Sequence, residues 1–275
     1  MPLHSPDMVD SPYLIRPGGN LRFSRLSTDD TGDFSGKKQA IAQTRRNCAR
    51  LGEFQHLLYA DGRRALLVVL QGMDTAGKDG AIRRVFSDVN PQGCIVTSFK
   101  APSSQELAQD YLWRIHRHAP ARGMIGIFNR SHYESVLVER VRNLVPEKTW
   151  KRRYEHINAF EKLLADEGTV ILKFFLHISK DEQKRRLNSR LKDPTKNWKF
   201  DPADLEARKR WDEYQAAYAD VLEKCSTEHA PWYAVPADHK WFRDWVVSDI
   251  IVRAMEKLDL KYPPAIEGIE KLKVK

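Results

Sequence analysis

The stretch Gln71-Gly72-Met73-Asp74-Thr75-Ala76-Gly77-Lys78-Asp79-Gly80 decides the fold. It directly follows the apolar run Ala65 to Gln71 and directly precedes a helical stretch that begins near Ala81. The spacing fits G-x-x-x-x-G-K, in which glycines let successive backbone N–H groups wrap a phosphate and the lysine adds a point charge for the outer phosphates. The helix N-terminus behind such a loop contributes a favourable dipole. Gly72, Thr75, Ala76, Gly77, Lys78, Asp79 and Gly80 are therefore the candidate phosphate-binding residues. The pattern departs from the usual one at Asp79, where Ser or Thr normally offers a hydroxyl to Mg2+. Asp74 is a second departure, because a carboxylate inside a phosphate cradle repels its ligand. A bound Mg2+ or a role as base turns that charge to use; a local turn hydrogen bond is the plainer alternative.

Working outward, Ile95 to Phe99, Met124 to Phe128, Val170 to Ile178 and Trp232 to Val235 join Ala65 to Gln71 as short apolar segments separated by helical patterns. Continuous Val/Ile/Leu/Phe runs of this kind read as strands covered on both faces, so the class is α/β, a three-layer α/β/α fold around a mostly parallel five-stranded sheet. Residues 1–35, rich in Pro, Gly, Ser and Asp, read as an irregular arm that wraps the core. A helix is expected from Lys37 to Tyr59, ended by Asp61-Gly62, and another from Asp201-Pro202, carrying Trp211, Tyr214, Tyr218 and Val221 as core packing. The tail 263–275, with Pro263-Pro264 and Lys271, Lys273 and Lys275, is expected to be loose.

At the end of the third segment stands Asn129-Arg130-Ser131-His132-Tyr133-Glu134. In open α/β sheets the ligand crevice lies outside the carboxyl ends of the strands, so this segment and the phosphate loop are expected to face one site. Arg130 is a candidate brace for transferring phosphates and Glu134 a holder of metal or water. His132 reads as a structural hydrogen-bonding residue. Between Lys180 and Phe200 there are eight basic and three acidic residues. A basic segment after the fourth strand is where a kinase would close a lid over phosphates.

The chain has 275 residues, 41% of them hydrophobic, which is enough for one main core, and a net charge of +9, which points to a polyanionic ligand. Its apolar runs are far short of the roughly 20 residues that span a bilayer. Met1-Pro2-Leu3-His4-Ser5-Pro6-Asp7 has no basic stretch leading into an apolar one, so a cytoplasmic location is expected. Cys48, Cys94 and Cys225 are widely spaced and form no C-x-x-C pair, which argues against a disulfide framework or a structural zinc site.

Four motifs in order, Gly72 to Gly80, Asn90-Pro91-x-Gly93, Phe128-Asn129-Arg130-Ser131-x-Tyr133-Glu134, and Arg190 with Pro194-x-Lys196-x-Trp198-Lys199, resemble those of family 2 polyphosphate kinases. The resemblance runs over roughly Gly36 to Pro264. It implies a thymidylate-kinase-like P-loop kinase domain over residues 36–262 with a basic helical lid at about 180–203. It also implies Mg2+-dependent, reversible transfer of the terminal phosphoryl group of polyphosphate to AMP or ADP, with Mn2+ able to substitute and guanine nucleotides as further partners. Asp74, Lys78, Arg130 and Glu134 would be catalytic, Asp74 and Glu134 would hold metal, and Arg190, Lys196 and Lys199 would be phosphate contacts from the lid. A homodimer or homotetramer is implied; neither nucleic acid nor membrane is expected as a partner. Many members carry Asp-Arg-Ser where this chain has Asn129-Arg130-Ser131, so Glu134 is expected to take over for the absent carboxylate. The Asn-Arg-Ser-His-Tyr-Glu form resembles the branch that accepts both AMP and ADP. Two rival readings are an ATP-dependent nucleoside monophosphate kinase on the same fold and a non-catalytic nucleic-acid-binding protein.

Overall fold

The structure, a computed structural model, describes residues 8–274. Residues 1–7 of the expected arm and Lys275 of the expected tail lie outside these. The strands are β1 (Leu14–Ile15), β2 (Ala65–Gln71), β3 (Cys94–Ser98), β4 (Ile125–Asn129), β5 (Thr169–His177) and β6 (Trp232–Pro236). The helices are α1 (Lys37–Asp61), α2 (Lys78–Val85), α3 (Ser104–Leu107), α4 (Trp113–His116), α5 (Val138–Val141), α6 (Glu147–Asp166), α7 (Lys180–Lys192), α8 (Pro202–Lys209), α9 (Trp211–Cys225) and α10 (Lys240–Glu256).

The strands form one sheet in the order β1-β6-β5-β2-β4-β3. Its five parallel strands are the apolar segments named above. The sheet is nevertheless six-stranded and mixed, because Leu14 and Ile15 of the arm pair antiparallel with Tyr233 and Trp232. The arm is thus less irregular than its Pro and Gly content implies: a two-residue edge strand is too short to leave a periodic signal, and Tyr13, Phe23 and Phe34 anchor the arm by packing against the core.

Every residue of β2 is buried, on both faces of the strand, which requires cover from two sides. One layer is α1, α2 and α10, which pack on one another; the second is α5, α6 and α9, with α6 lying on β5. Burying each of the β2 side chains Leu66, Leu67, Val68, Val69 and Leu70 contributes about 1.5–3 kcal/mol. Cover on both faces fails at β3, where Ile95 and Val96 are half exposed, because β3 is the sheet's edge.

Helix α1 ends as expected, on Gly62 with φ 64°, whose N–H donates to Leu58 O at 3.0 Å. The helix expected from Asp201-Pro202 through Val221 is two helices. Arg210, at φ −97° and ψ 27°, breaks it, so that α8 turns toward the basic segment while Trp211, Tyr214 and Tyr218 of α9 enter the core.

Candidate active site

Register sets the site. Leu70 of β2 pairs with Asn129 of β4 and Gln71 with Phe175 of β5, so the carboxyl ends of β2 and β4 lie within a residue of each other and β5 runs two residues further. The chain leaves β2 through Gly72, at φ 151°, where a Cβ would lie 2.7 Å from Leu176 O; only glycine makes that approach. Thr75 follows at φ 67°, a left-handed conformation that a β-branched residue adopts only under constraint.

The constraint comes from behind the loop. Gln183 Nε2 donates to Asp74 O at 3.2 Å, and Arg186 Nη1 donates to Thr75 O and Ala76 O at 2.9 and 3.0 Å. Arg243 Nη1 adds a bond to Ala76 O at 3.2 Å. Three successive carbonyls are therefore pulled outward. In a trans peptide the N–H points opposite to the C=O, so the amides of Thr75 and Gly77 turn inward as a cradle, while that of Ala76 is occupied by Met73 O at 3.0 Å. Arg186 spends all five of its donors on protein, the others reaching Glu182, Ala237 O and Asp238 O. Although it belongs to the basic segment, it holds the loop and offers nothing to a ligand. Gln183, Arg186 and Arg243 left no motif in the sequence; Arg186 was visible only as one charge among eight.

Lys78 opens α2 and is buried, its Nζ donating to Gly72 O at 2.8 Å. Burial first, and Arg130 second, lower its pKa to about 8, against the pull of Asp74, Glu134 and Asp79. Arg130 stands just past β4 at φ 62°, its N–H donating to Leu70 O at 3.1 Å. Its guanidinium is forked between Asp74 Oδ1 at 2.5 Å and Glu134 Oε2 at 3.1 Å, and these carboxylates, Glu134 first, raise its pKa further against the effect of burial. Below this loop, buried His132 contacts Glu161 at 3.0 Å, and Glu161 is ion-paired with Lys173, which also bonds Tyr133 Oη at 2.8 Å. His132 is structural, as its position suggested.

A cleft of about 1360 Å³ is lined by every sequence-predicted site residue except Ala76, which is fully buried with both backbone groups engaged. Arg190 lines it while donating to Lys199 O at 3.0 Å and to Asp204 Oδ2 at 3.1 Å. Lys196 pairs with Asp193, and Lys199 lies over the ring of Trp198, which is 77% exposed. Asp204, which sequence reading passed over, is raised to about 6, chiefly by burial and then by the charge of Asp74, with Arg190 opposing. Lys100, Arg114 and Arg142 add further positive charge to the walls.

Among the described residues no cluster of three or more His, Cys, Asp or Glu could cage a metal. Mg2+ takes one or two protein carboxylates and completes its shell with water and substrate phosphates. The oxygen donors around the loop, Asp74, Glu134 and Asp79, fit an ion that arrives with phosphates. No helix among the described residues is long and apolar enough to cross a membrane.

A family model described as Polyphosphate kinase 2 (PPK2) matches residues 35–263. The chain is 53% identical over 261 residues, 94% of its length and 98% of the relative's, to an AMP/ADP-polyphosphate phosphotransferase of Meiothermus ruber. It is 50% identical over 263 residues, 91% of each chain, to an ADP-polyphosphate phosphotransferase of Rhodopseudomonas palustris. A crystal structure of Polyphosphate Kinase 2 from Arthrobacter aurescens superposes with a TM-score of 0.90 at 42% identity, covering 94% of this chain and 93% of that one. With the phosphate loop, the forked Arg130 and the basic segment on one cleft, these matches place the chain: it belongs to the polyphosphate kinase 2 family.

Proposed function

We propose that the protein transfers the terminal phosphoryl group of inorganic polyphosphate to AMP and to ADP, reversibly and with Mg2+, for which Mn2+ substitutes, giving ADP and ATP. The observation that carries this reading is the single cleft that joins an amide cradle, Lys78, Arg130 and the cations of the basic segment. At about 1360 Å³ it exceeds the volume of a one-ligand pocket, about 300–1,000 Å³, as two anionic substrates in line require. Relatives named for transfer to both AMP and ADP, and to ADP alone, support the choice of acceptors.

Phosphoryl transfer asks a protein mainly for positioning and charge. The inward amides of Thr75 and Gly77 and the ammonium of Lys78 fix one phosphate group. Arg130, held in place by Asp74 and Glu134, presents its guanidinium to the charge that spreads over the transferring group. Arg190, Lys196 and Lys199 neutralise the polyphosphate tail and exclude water. Mg2+, held through Asp74 and Glu134 and water, would supply further charge neutralisation between donor and acceptor. The reading extends to guanine nucleotides as further partners, a homodimer or homotetramer, and a cytoplasmic location.

The test is product analysis after incubation with Mg2+, long-chain polyphosphate and either AMP or ADP, with no ATP added. ADP and ATP are expected to accumulate from AMP. No reaction of either acceptor, with ATP serving as donor to AMP instead, would overturn the polyphosphate reading in favour of a monophosphate kinase.

A further inference from the structure

The two places where the sequence departs from the usual phosphate-loop pattern touch. Asn129 Nδ2 donates to Asp79 Oδ1 at 2.7 Å. In phosphate-loop enzymes generally, the metal is held by a hydroxyl on the residue after the loop lysine and by a carboxylate at the end of a neighbouring strand. Here the residue after Lys78 is Asp79, and the end of the neighbouring strand β4 is Asn129. The pair still holds one carboxylate and one neutral oxygen donor, with their places exchanged.

We propose that Asp79 supplies the metal-directed carboxylate that is absent at Asn129, and that Asn129 is the positioning residue that aims it. The other acidic groups of the site are engaged differently. Asp74 and Glu134 each accept from Arg130, so one oxygen of each carboxylate is engaged by the guanidinium they share. Asp79 is bonded instead to the neutral amide of Asn129. It is exposed, lines the cleft, and sits in the first turn of α2 directly behind the phosphate cradle. The amide of Asn129 holds one oxygen of this cleft-lining carboxylate. Glu134, expected to replace the absent carboxylate, holds Arg130 as well, and Asp79 would act beside it and Asp74.

The assignment rests on the metal-dependent reading above, and the test separates the two. Binding of Mn2+ to the full-length protein with ADP present is titrated by electron paramagnetic resonance, with melting curves as the fold control. Asp79→Asn is expected to weaken Mn2+ binding by about tenfold or more. The exchange Asp79→Asn with Asn129→Asp restores one carboxylate and one amide and is expected to return binding to within about threefold of the parent. Asp79→Ser is a second probe: alone it weakens Mn2+ binding, and Asn129→Asp rescues it. Parent-like binding by Asp79→Asn, or an exchanged pair as weak as Asp79→Asn alone, overturns the assignment while leaving the metal reading intact. Absence of Mn2+ binding by the parent with ADP overturns both.

Discussion

Replacing Gly77 by alanine tests how the cradle is held. At φ 104° the new residue would sit in a left-handed conformation, which costs about 1–2 kcal/mol for a side chain with a Cβ. The Cβ would also fall 1.9 Å from Arg243 Nη1, so the guanidinium must move. Arg243 is 2% exposed and would give up its bond to Ala76 O, about 1.5–3 kcal/mol for a hydrogen bond from a charged group. Together these amount to roughly 3–5 kcal/mol, or about 10 °C in melting temperature for a chain of this size. Activity is expected to fall by about a hundredfold, because the amides of Thr75 and Gly77 lose their aim. The assay pairs calorimetric melting with steady-state transfer from polyphosphate to ADP. Adding Arg243→Met removes the clashing nitrogen, so the two substitutions together should cost less than the sum of each alone. A Gly77→Ala protein that melts within about 2 °C of the parent and turns over normally would show that Arg243 does not hold the cradle in this way.

Asp74→Asn is expected to lower turnover by about a hundredfold at unchanged melting temperature, since one arm of the Arg130 fork then keeps an acceptor but loses its charge; near-normal turnover would remove Asp74 from the catalytic set. Because burial holds Lys78 at about 8, kcat/KM for polyphosphate is expected to fall as the free enzyme passes that pH, and a profile flat to pH 9.5 would contradict this. A lysine whose pKa folding depresses penalises the folded state while charged. Lys78→Met should therefore gain stability relative to the parent below pH 8, with the gap closing toward the unfolded value of about 10.4; urea titrations across that window give the sign. Glu161→Gln leaves Lys173 buried without its carboxylate and is expected to cost about 3–5 kcal/mol, whereas Glu161→Leu with Lys173→Met costs less; urea midpoints that rank them oppositely would contradict this.

The parallel strands were legible because burial on both faces leaves unbroken apolar runs, and the phosphate loop because its glycines answer a backbone need that no other residue meets. Strand β1 was not, since two residues carry no periodicity and their pairing depends on Trp232 and Tyr233, more than 200 positions away. Lys78, Arg130 and Arg190 could be named from motif position, and they line the cleft. Ala76 shows the limit of motif position: its side chain is buried and its amide is already bonded to Met73 O. Gln183, Arg186 and Arg243 were invisible for a related reason. Their partners are backbone carbonyls, which every residue possesses, so nothing in the sequence marks which ones will be gripped.

That grip bears on how the basic segment can travel. Gln183 and Arg186 fasten the first two turns of α7 to the phosphate loop, and Arg186 also ties them to Ala237 and Asp238 beyond β6. These turns behave as a fixed post. Arg208 of α8 is tied back to the same turns, donating to Lys180 O at 2.6 Å and Gln183 Oε1 at 3.0 Å, so any swing toward bound polyphosphate starts past Arg186 and is confined to the stretch between about Arg190 and Ala207. A short segment fastened at both ends sweeps a small arc, so most of the cleft's charge is in place before a substrate arrives.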